Sequence, residues 1–447
     1  MEEYILKQKI IEELSGKNVL ILGFGREGKS TLNYMMTSGV ITKRLAVADK
    51  SEDIQKLDGI EYFLGDSYLE ALQEFDVIIK APGISLKDVD MSLIQGKITS
   101  QTDLFLTYGG SKVIGITGTK GKSTTTTFIY QMLKEEGFAV ELVGNIGVPA
   151  LDYVDKYDET KYFVYELSSH QLELVHASPK IAVFLNLYEE HLDYYSSFLA
   201  YANAKRNIFK YQSSENYLVY NEDMESKLLA STEVKSKKIP VSQEQAEKSP
   251  LNNEYVSVLY DAEKIHVLGI HNLYNLTVAA TVAKLVGVCD KSIVNAIAKM
   301  QPLPHRLQTI GEFNGVKYID DSISTIPEAT ISAIQSIDGV DTVLIGGMDR
   351  GINYDNLIQY LTTTKTQNII LMYDSGKRIY EALRSKHTKN NIIYAEDLER
   401  AIELAVSLTP KGKTCLLSPA AASYGFFKNF EERGDKFKEF VKKYSDS

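Results

Sequence analysis

Residues 117–124 read Thr-Gly-Thr-Lys-Gly-Lys-Ser-Thr, and their types and order suit one task, holding a polyphosphate. Gly118 and Gly121 let backbone N–H groups approach an anion with no Cβ in the way. Lys122 supplies a cation, and the Ser123 hydroxyl can ligate Mg²⁺. Thr119, Lys120 and Thr124 complete the loop and the first turn beyond it. The spacing is shorter than G-x-x-x-x-G-K-[ST], because position 116 is Ile rather than Gly. An ATP or GTP phosphate site is expected. A second glycine pattern, G-x-G-x-x-G at Gly23, Gly25 and Gly28, is followed by Asp49 about 20 positions on, which could take a ribose hydroxyl. By itself that pattern leaves three readings open: NAD, another nucleotide, or a tight packing turn.

Such residues need elements to aim them. The apolar, β-branched run Val113, Ile114, Ile116 predicts a buried strand ahead of the phosphate loop. The spacing of Phe128, Ile129, Met132 and Leu133 predicts a helix behind it, whose N-terminus adds partial positive charge at the anion. KNVLILGFGREG and RLAVADK give a βαβ start, and DVIIKAPGIS a third strand ending in a Pro-Gly turn. Residues 1–107 therefore read as a Rossmann-like domain. Residues 108–300 read as a second α/β domain with a mostly parallel sheet. At its strand ends stand Glu166 and Asn186, with His191 and Asp193 close behind, and a following helix carries Lys205, Arg206 and Lys210. Asn272 and Asn275 open a later helix, where capping alone would explain them. MQPLPHRLQ reads as a linker into residues 301–447, a third α/β domain with a Rossmann-like strand and helix alternation. Its last helix predicts an apolar face of Phe427, Phe430, Phe437 and Phe440, more suited to core than to ligand. The expected fold class is thus α/β in three domains, the central one a phosphate-loop ATPase domain.

Length and composition agree. A chain of 447 residues suits about three domains. The net charge of -10 argues against nucleic acid or an anionic membrane as partner, though not against small anions in a local basic site. Cys289 and Cys415 are the only cysteines, so a disulfide framework is not expected, and both thiols are expected to be buried. The chain offers no apolar run of membrane-spanning length, and a cytoplasmic monomer is expected.

Taken in order, TGTKGKST, GNIG at Gly144–Gly147, ELSSHQLE at Glu166–Glu173, NLYEEHLDYY from Asn186, GIHNLYN, LPHR, DDS and LLSPAAASYGFFKNFEERG resemble the motifs of the Mur ligases. These are ATP-dependent amide-forming enzymes of peptidoglycan precursor synthesis, and the likeness to their glutamate-adding branch covers all three domains. The resemblance implies addition of D-glutamate to UDP-N-acetylmuramoyl-L-alanine through an acyl phosphate, with ATP and Mg²⁺. It implies that Lys122 holds the β- and γ-phosphates and Ser123 one Mg²⁺, with Glu166 and His191 on a second. Lys205 stands where the family carries a carbamylated lysine. Asn145 would meet the muramoyl substrate, Asn272 and Asn275 the adenine, Arg306 the ATP phosphates and Asp321 the ribose. Ser423 and Phe430, assisted by Thr325, would hold glutamate, and the loop at Gly23–Gly28 with Asp49 would take UDP rather than NAD.

Two departures bear on the amino acid. Ile323 replaces a lysine of the family pattern, and Met348-Asp349-Arg350 replaces the usual Gly-Lys. Arg350 can still pair bidentately with a side-chain carboxylate. L-glutamate stands as an alternative substrate. An NAD-dependent dehydrogenase stands as an alternative of another class, one that leaves the second phosphate loop unexplained.

Overall fold

The computed structural model describes residues 5–158, 160–190, 194–230, 232–254, 256–257, 270–300, 304–386 and 388–445. Strands β1 (Asn18–Leu22), β2 (Arg44–Asp49), β3 (Glu61–Leu64), β4 (Val77–Lys80) and β5 (Lys97–Thr99) form a first sheet in the order β3-β2-β1-β4-β5. All its pairings are parallel. A parallel strand is covered on both faces, which is why VLIL and VII are continuous apolar runs, all buried. The second sheet holds β6 (Val113–Thr117), β7 (Val140–Gly144), β8 (Tyr162–Glu166), β9 (Ile181–Phe184), β10 (Tyr217–Asn221) and β11 (Lys237–Val241). Its order is β11-β10-β9-β6-β8-β7, again parallel throughout. Strand β6 lies where the order reverses. Ligands of such sheets bind at the carboxyl ends of strands at that switch, where Thr117 passes into the phosphate loop.

By their contacts, the residues through Lys264 together with His271–Lys299 form one compact unit, and those from Met300 onward a second. The first unit contains both sheets. The helix Gln101–Gly109 runs across the 107/108 boundary expected from sequence. Its Phe105 meets Phe163 and Tyr165 edge-on, with ring centroids 5.3 and 6.1 Å apart. One apolar core consequently extends from Leu6 to Leu228.

The second unit is built on β12 (Gln308–Phe313), β13 (Val316–Asp320), β14 (Val340–Gly346), β15 (Asn368–Met372), β16 (Asn391–Ala395) and β17 (Thr414–Leu417). They run β12-β13-β17-β14-β15-β16, with only the β12–β13 pair antiparallel. The α/β class expected from sequence is the class observed. Among the described residues no helix is long and apolar enough to cross a membrane.

Two expectations need correction. Cys415 is buried, but Cys289 is exposed. It sits in the turn between the helices Ile270–Val286 and Asp290–Lys299, where its N–H donates to Glu136 at 2.8 Å. Phe427 does not belong to the last helix, which spans Phe430–Ser445. The Asn429 side chain accepts from the Glu432 N–H and starts the helix there, leaving Phe427 to pack edge-on against Tyr373.

Candidate active site

The first unit carries two glycine loops. At the carboxyl end of β1, a Cβ on Gly28 would lie 2.0 Å from the Gly23 carbonyl, so only glycine lets the helix Arg26–Thr37 start tight beneath the turn. Asp49, ending β2, accepts from the N–H groups of Phe24 (2.6 Å) and Ser51 (2.7 Å). Its carboxylate shapes the loop that contains Gly23 and Gly25.

At the end of β6 the second loop wraps the N-terminus of the helix Lys122–Glu136. Gly121 caps that helix at φ +81°, and a Cβ there would come within 2.6 Å of Asn275 Oδ1. Asn275, which thus stands against the loop, donates in turn to Asn272 at 3.2 Å. Lys122 folds back onto the carbonyls of Gly118 (2.9 Å) and Thr119 (3.0 Å). Thr119 shares a hydrogen bond with the Tyr201 hydroxyl at 3.0 Å, and Lys120 pairs with Glu190 at 3.1 Å. Asn186 brackets the loop by accepting from the Lys120 N–H (2.8 Å) and donating to its carbonyl (3.1 Å). Its position at a strand end was visible in sequence, but this role was not. Ser123 and Thr124 occupy the first helical turn, Thr124 buried with a hydroxyl that has no hydrogen-bond partner among the described residues.

Glu166 ends β8 and is wholly buried. Its Oε1 accepts from Asn145 Nδ2 at 2.8 Å, while Oε2 has no hydrogen-bond partner among the described residues. An unmatched buried oxygen costs about 1–3 kcal/mol, more when charged, and a cation at that face would remove the penalty. Among the described residues no group of three or more His, Cys, Asp or Glu could hold a metal by itself. Mg²⁺ commonly takes one or two protein oxygens and completes its shell with phosphate and water. Glu166 and Ser123 fit such a donor set. His191 and Asp193 lie outside the described residues.

Lys205, from the helix Phe198–Lys210, is 2% exposed and donates to the Gly118 carbonyl at 2.8 Å. Burial, reinforced by the neighbouring Lys122 charge, pushes its amine well below the ordinary lysine range.

The remaining predicted residues belong to the second unit, at the carboxyl edge of its sheet. Asp321, following β13, accepts from Ser418 Oγ (2.8 Å) and the Leu307 N–H (3.3 Å). Burial raises it to about 6, against the opposing hydrogen bonds of Ser324 and Ser418 and the charge of Arg306. Arg350 donates to the Thr325 carbonyl at 3.1 Å, which joins two of the residues expected around glutamate. Ser423 is buried, and its carbonyl accepts from the Phe427 N–H at 3.0 Å. The half-buried Phe430 stands edge-on to His305, 6.2 Å between ring centroids, and its carbonyl accepts from Ser322 Oγ at 2.8 Å.

Sequence reading passed over Arg433. It is fully buried and donates to Ser322 Oγ (2.9 Å), the Ser322 carbonyl (2.8 Å) and the Ala421 carbonyl (3.0 Å). It thereby stitches the DDS segment to the SPAAAS segment. The signal was its place three residues after Phe430 and four before Phe437, on the helix face that faces inward.

Comparison with known proteins matches residues 17–99 to the MurD-like N-terminal domain of Mur ligases, 116–283 to the Mur ligase middle domain and 305–421 to the glutamate ligase domain of Mur ligases. Proteins named UDP-N-acetylmuramoylalanine–D-glutamate ligase from Acetivibrio thermocellus and Ruminiclostridium cellulolyticum are each 32% identical, over 96% of this chain and 97% of theirs. Among solved structures, the MurF ligase of Thermotoga maritima in complex with ADP has a TM-score of 0.59 at 17% identity, covering 98% of this chain and 96% of its own. The folylpolyglutamate synthase of Mycobacterium tuberculosis has a TM-score of 0.54 at 13% identity, covering 76% of this chain and 92% of its own.

Proposed function

The chain belongs to the Mur ligase family, and on that footing we propose that it adds D-glutamate to UDP-N-acetylmuramoyl-L-alanine at the expense of ATP. The observation that carries this reading is Glu166, buried at a strand end beside a phosphate loop, with one carboxylate oxygen that no donor among the described residues meets. A dehydrogenase would leave the phosphate loop at Gly118–Ser123 unexplained.

A carboxylate is a poor acyl donor. In the proposed reaction the alanyl carboxylate attacks the γ-phosphorus of ATP, and ADP leaves. The resulting acyl phosphate is attacked by the glutamate amine, loses a proton, and expels inorganic phosphate. Mg²⁺ at this site would neutralise phosphate charge and polarise the transferring phosphoryl group. The N–H groups of Gly121, Lys122, Ser123 and Thr124, at the start of the helix, cradle the phosphates, and Lys122 swings from the Gly118 carbonyl onto the β,γ-oxygens. Asn145 keeps Glu166 facing the site and presents the muramoyl end. Asn272 and Asn275 stand on the adenine side, and Gly23, Gly25, Gly28 and Asp49 form the UDP loop. Arg306 serves the ATP phosphates and Asp321 the ribose, while Thr325, Arg350, Ser423 and Phe430 take glutamate.

Lys205 has a further chemical option. A lysine kept neutral by burial is a nucleophile toward CO₂; the N–C bond forms, one proton leaves, and a carbamate results. That change turns a group that would oppose Mg²⁺ if protonated into an anion that supports it. The deciding experiment is phosphate release from ATP, Mg²⁺ and UDP-N-acetylmuramoyl-L-alanine with D- and L-glutamate in parallel. Release dependent on D-glutamate is expected. No release with either enantiomer would refute the ligase reading, and release with L-glutamate alone would move the specificity.

A further inference from the structure

The glycine loop of the first sheet reaches the neighbourhood of Glu166 through two of its own side chains. Arg26, the first residue of the helix after Gly25, donates from Nη2 to the Gly144 carbonyl at 2.7 Å and to the Asn145 carbonyl at 3.3 Å. Asn145 is the residue whose amide holds Glu166 Oε1. Glu27, next in sequence, accepts from Gln171 Nε2 at 2.8 Å. Gln171 closes a reciprocal capping box with Ser168, two residues beyond Glu166. The Arg26–Glu27 dipeptide therefore grips both chain segments that flank the carboxylate, one by its guanidinium and the other by its carboxyl group.

Neither grip is needed for the loop to turn. The glycines and the Asp49 contact to Phe24 already account for its shape. Arg26 is exposed, yet its guanidinium reaches across to two carbonyls of a turn 118 positions away. A displacement of the helix N-terminus when an anion binds at its N–H groups would move both contacts together.

We infer that Arg26 and Glu27 are positioning residues that couple occupancy of the Gly23–Gly28 loop to the placement of Glu166. The inference rests on the proposed reading of this loop as the UDP site and of Glu166 as a cation ligand. It gives the protein a means to complete its cation site only once the nucleotide-linked substrate is in place.

UDP alone is the probe, since it engages the loop but lacks the substrate carboxylate; its diphosphate also binds Mn²⁺, so the Mn²⁺–UDP signal recorded without protein is subtracted. Mn²⁺ binding to the full chain with ADP is followed by electron paramagnetic resonance, with and without saturating UDP. In the wild type UDP is expected to tighten Mn²⁺ about fivefold or more, the lower range of measured couplings. Arg26→Ala is expected to leave less than about a twofold effect, and Arg26→Lys, which can still donate to the Gly144 carbonyl, to restore most of it. Circular dichroism of each variant checks that the fold is retained. Equal tightening in wild type and Arg26→Ala would overturn the inference, as would no tightening in the wild type. The phosphate-release assay on the wild type is scored separately, so failure of the ligase reading and failure of the coupling are distinguishable.

Discussion

Lys122 and Lys205 donate to the same oxygen, the carbonyl of Gly118, at 2.9 and 2.8 Å. Two ammonium groups around one carbonyl repel each other, and in the absence of bound phosphate only one of them gains by keeping its proton. Burial decides which. Lys205 lies inside the unit, whereas Lys122 stays partly accessible at the loop and can move onto a ligand.

Replacing Lys205 separates its catalytic use from its structural cost. Its lowered folded-state pKa means that the unfolded chain binds the proton more readily up to about 10.5, so its contribution to stability rises with pH across that window. Lys205→Met should therefore be more stable than wild type at neutral pH in CO₂-depleted buffer, with the gap closing as pH approaches that limit. Scanning calorimetry at several pH values checks the sign. Phosphate release by the same variant should fall by roughly 10²-fold or more.

Glu166→Gln keeps the shape and leaves an oxygen for Asn145 to hold, but removes the charge. Phosphate release should drop by roughly 10²-fold or more, while the unfolding midpoint stays level or rises because a buried charge has gone. A variant with near-normal turnover would contradict the cation assignment.

Gly121→Ala tests the loop. A left-handed residue with a Cβ costs about 1–2 kcal/mol, and this Cβ would also press on Asn275 Oδ1. ADP affinity by titration calorimetry should weaken about tenfold. UDP affinity, which depends on the other glycine loop, should not change.

Asp321 gives a pH-dependence of opposite sign to that of Lys205. Its folded-state value of about 6 lies above the ordinary 3.8, so its favourable contribution is complete below the ordinary value and is lost as pH rises through about 6. The loss amounts to about 3 kcal/mol. Asp321→Asn should gain about 2 kcal/mol of that on wild type between pH 4.5 and 7, seen as converging or crossing calorimetric midpoints. An unchanged difference across that range would show that the carboxyl titrates normally.

The strand, glycine loop and helix from Val113 to Glu136 were legible without coordinates because each part of that signal is local. A buried parallel strand needs a continuous apolar run, a phosphate turn needs glycine, and a helix announces itself by its period. The three-part α/β plan followed for the same reason. The burial of Cys289 was misjudged because a small apolar residue carries no mark of whether its turn faces inward. Phe427 was placed in the last helix because the apolar spacing continues across a boundary that the Asn429 cap sets.

What the chain order could not contain is the partner of each polar side chain. Arg26 finds Gly144, Lys205 finds Gly118 and Arg433 finds Ser322 across separations of 118, 87 and 111 positions. Such contacts exist only after packing has excluded water and selected which donors meet which acceptors. Residue types and local periodicity thus pointed to a nucleotide site, and the order of the motifs to a resemblance with one family of ligases. Folding alone decided that Glu166 keeps a bare oxygen, that Lys205 is driven toward neutrality, and that the first glycine loop grips the flanks of that carboxylate, because burial and long-range proximity set those properties.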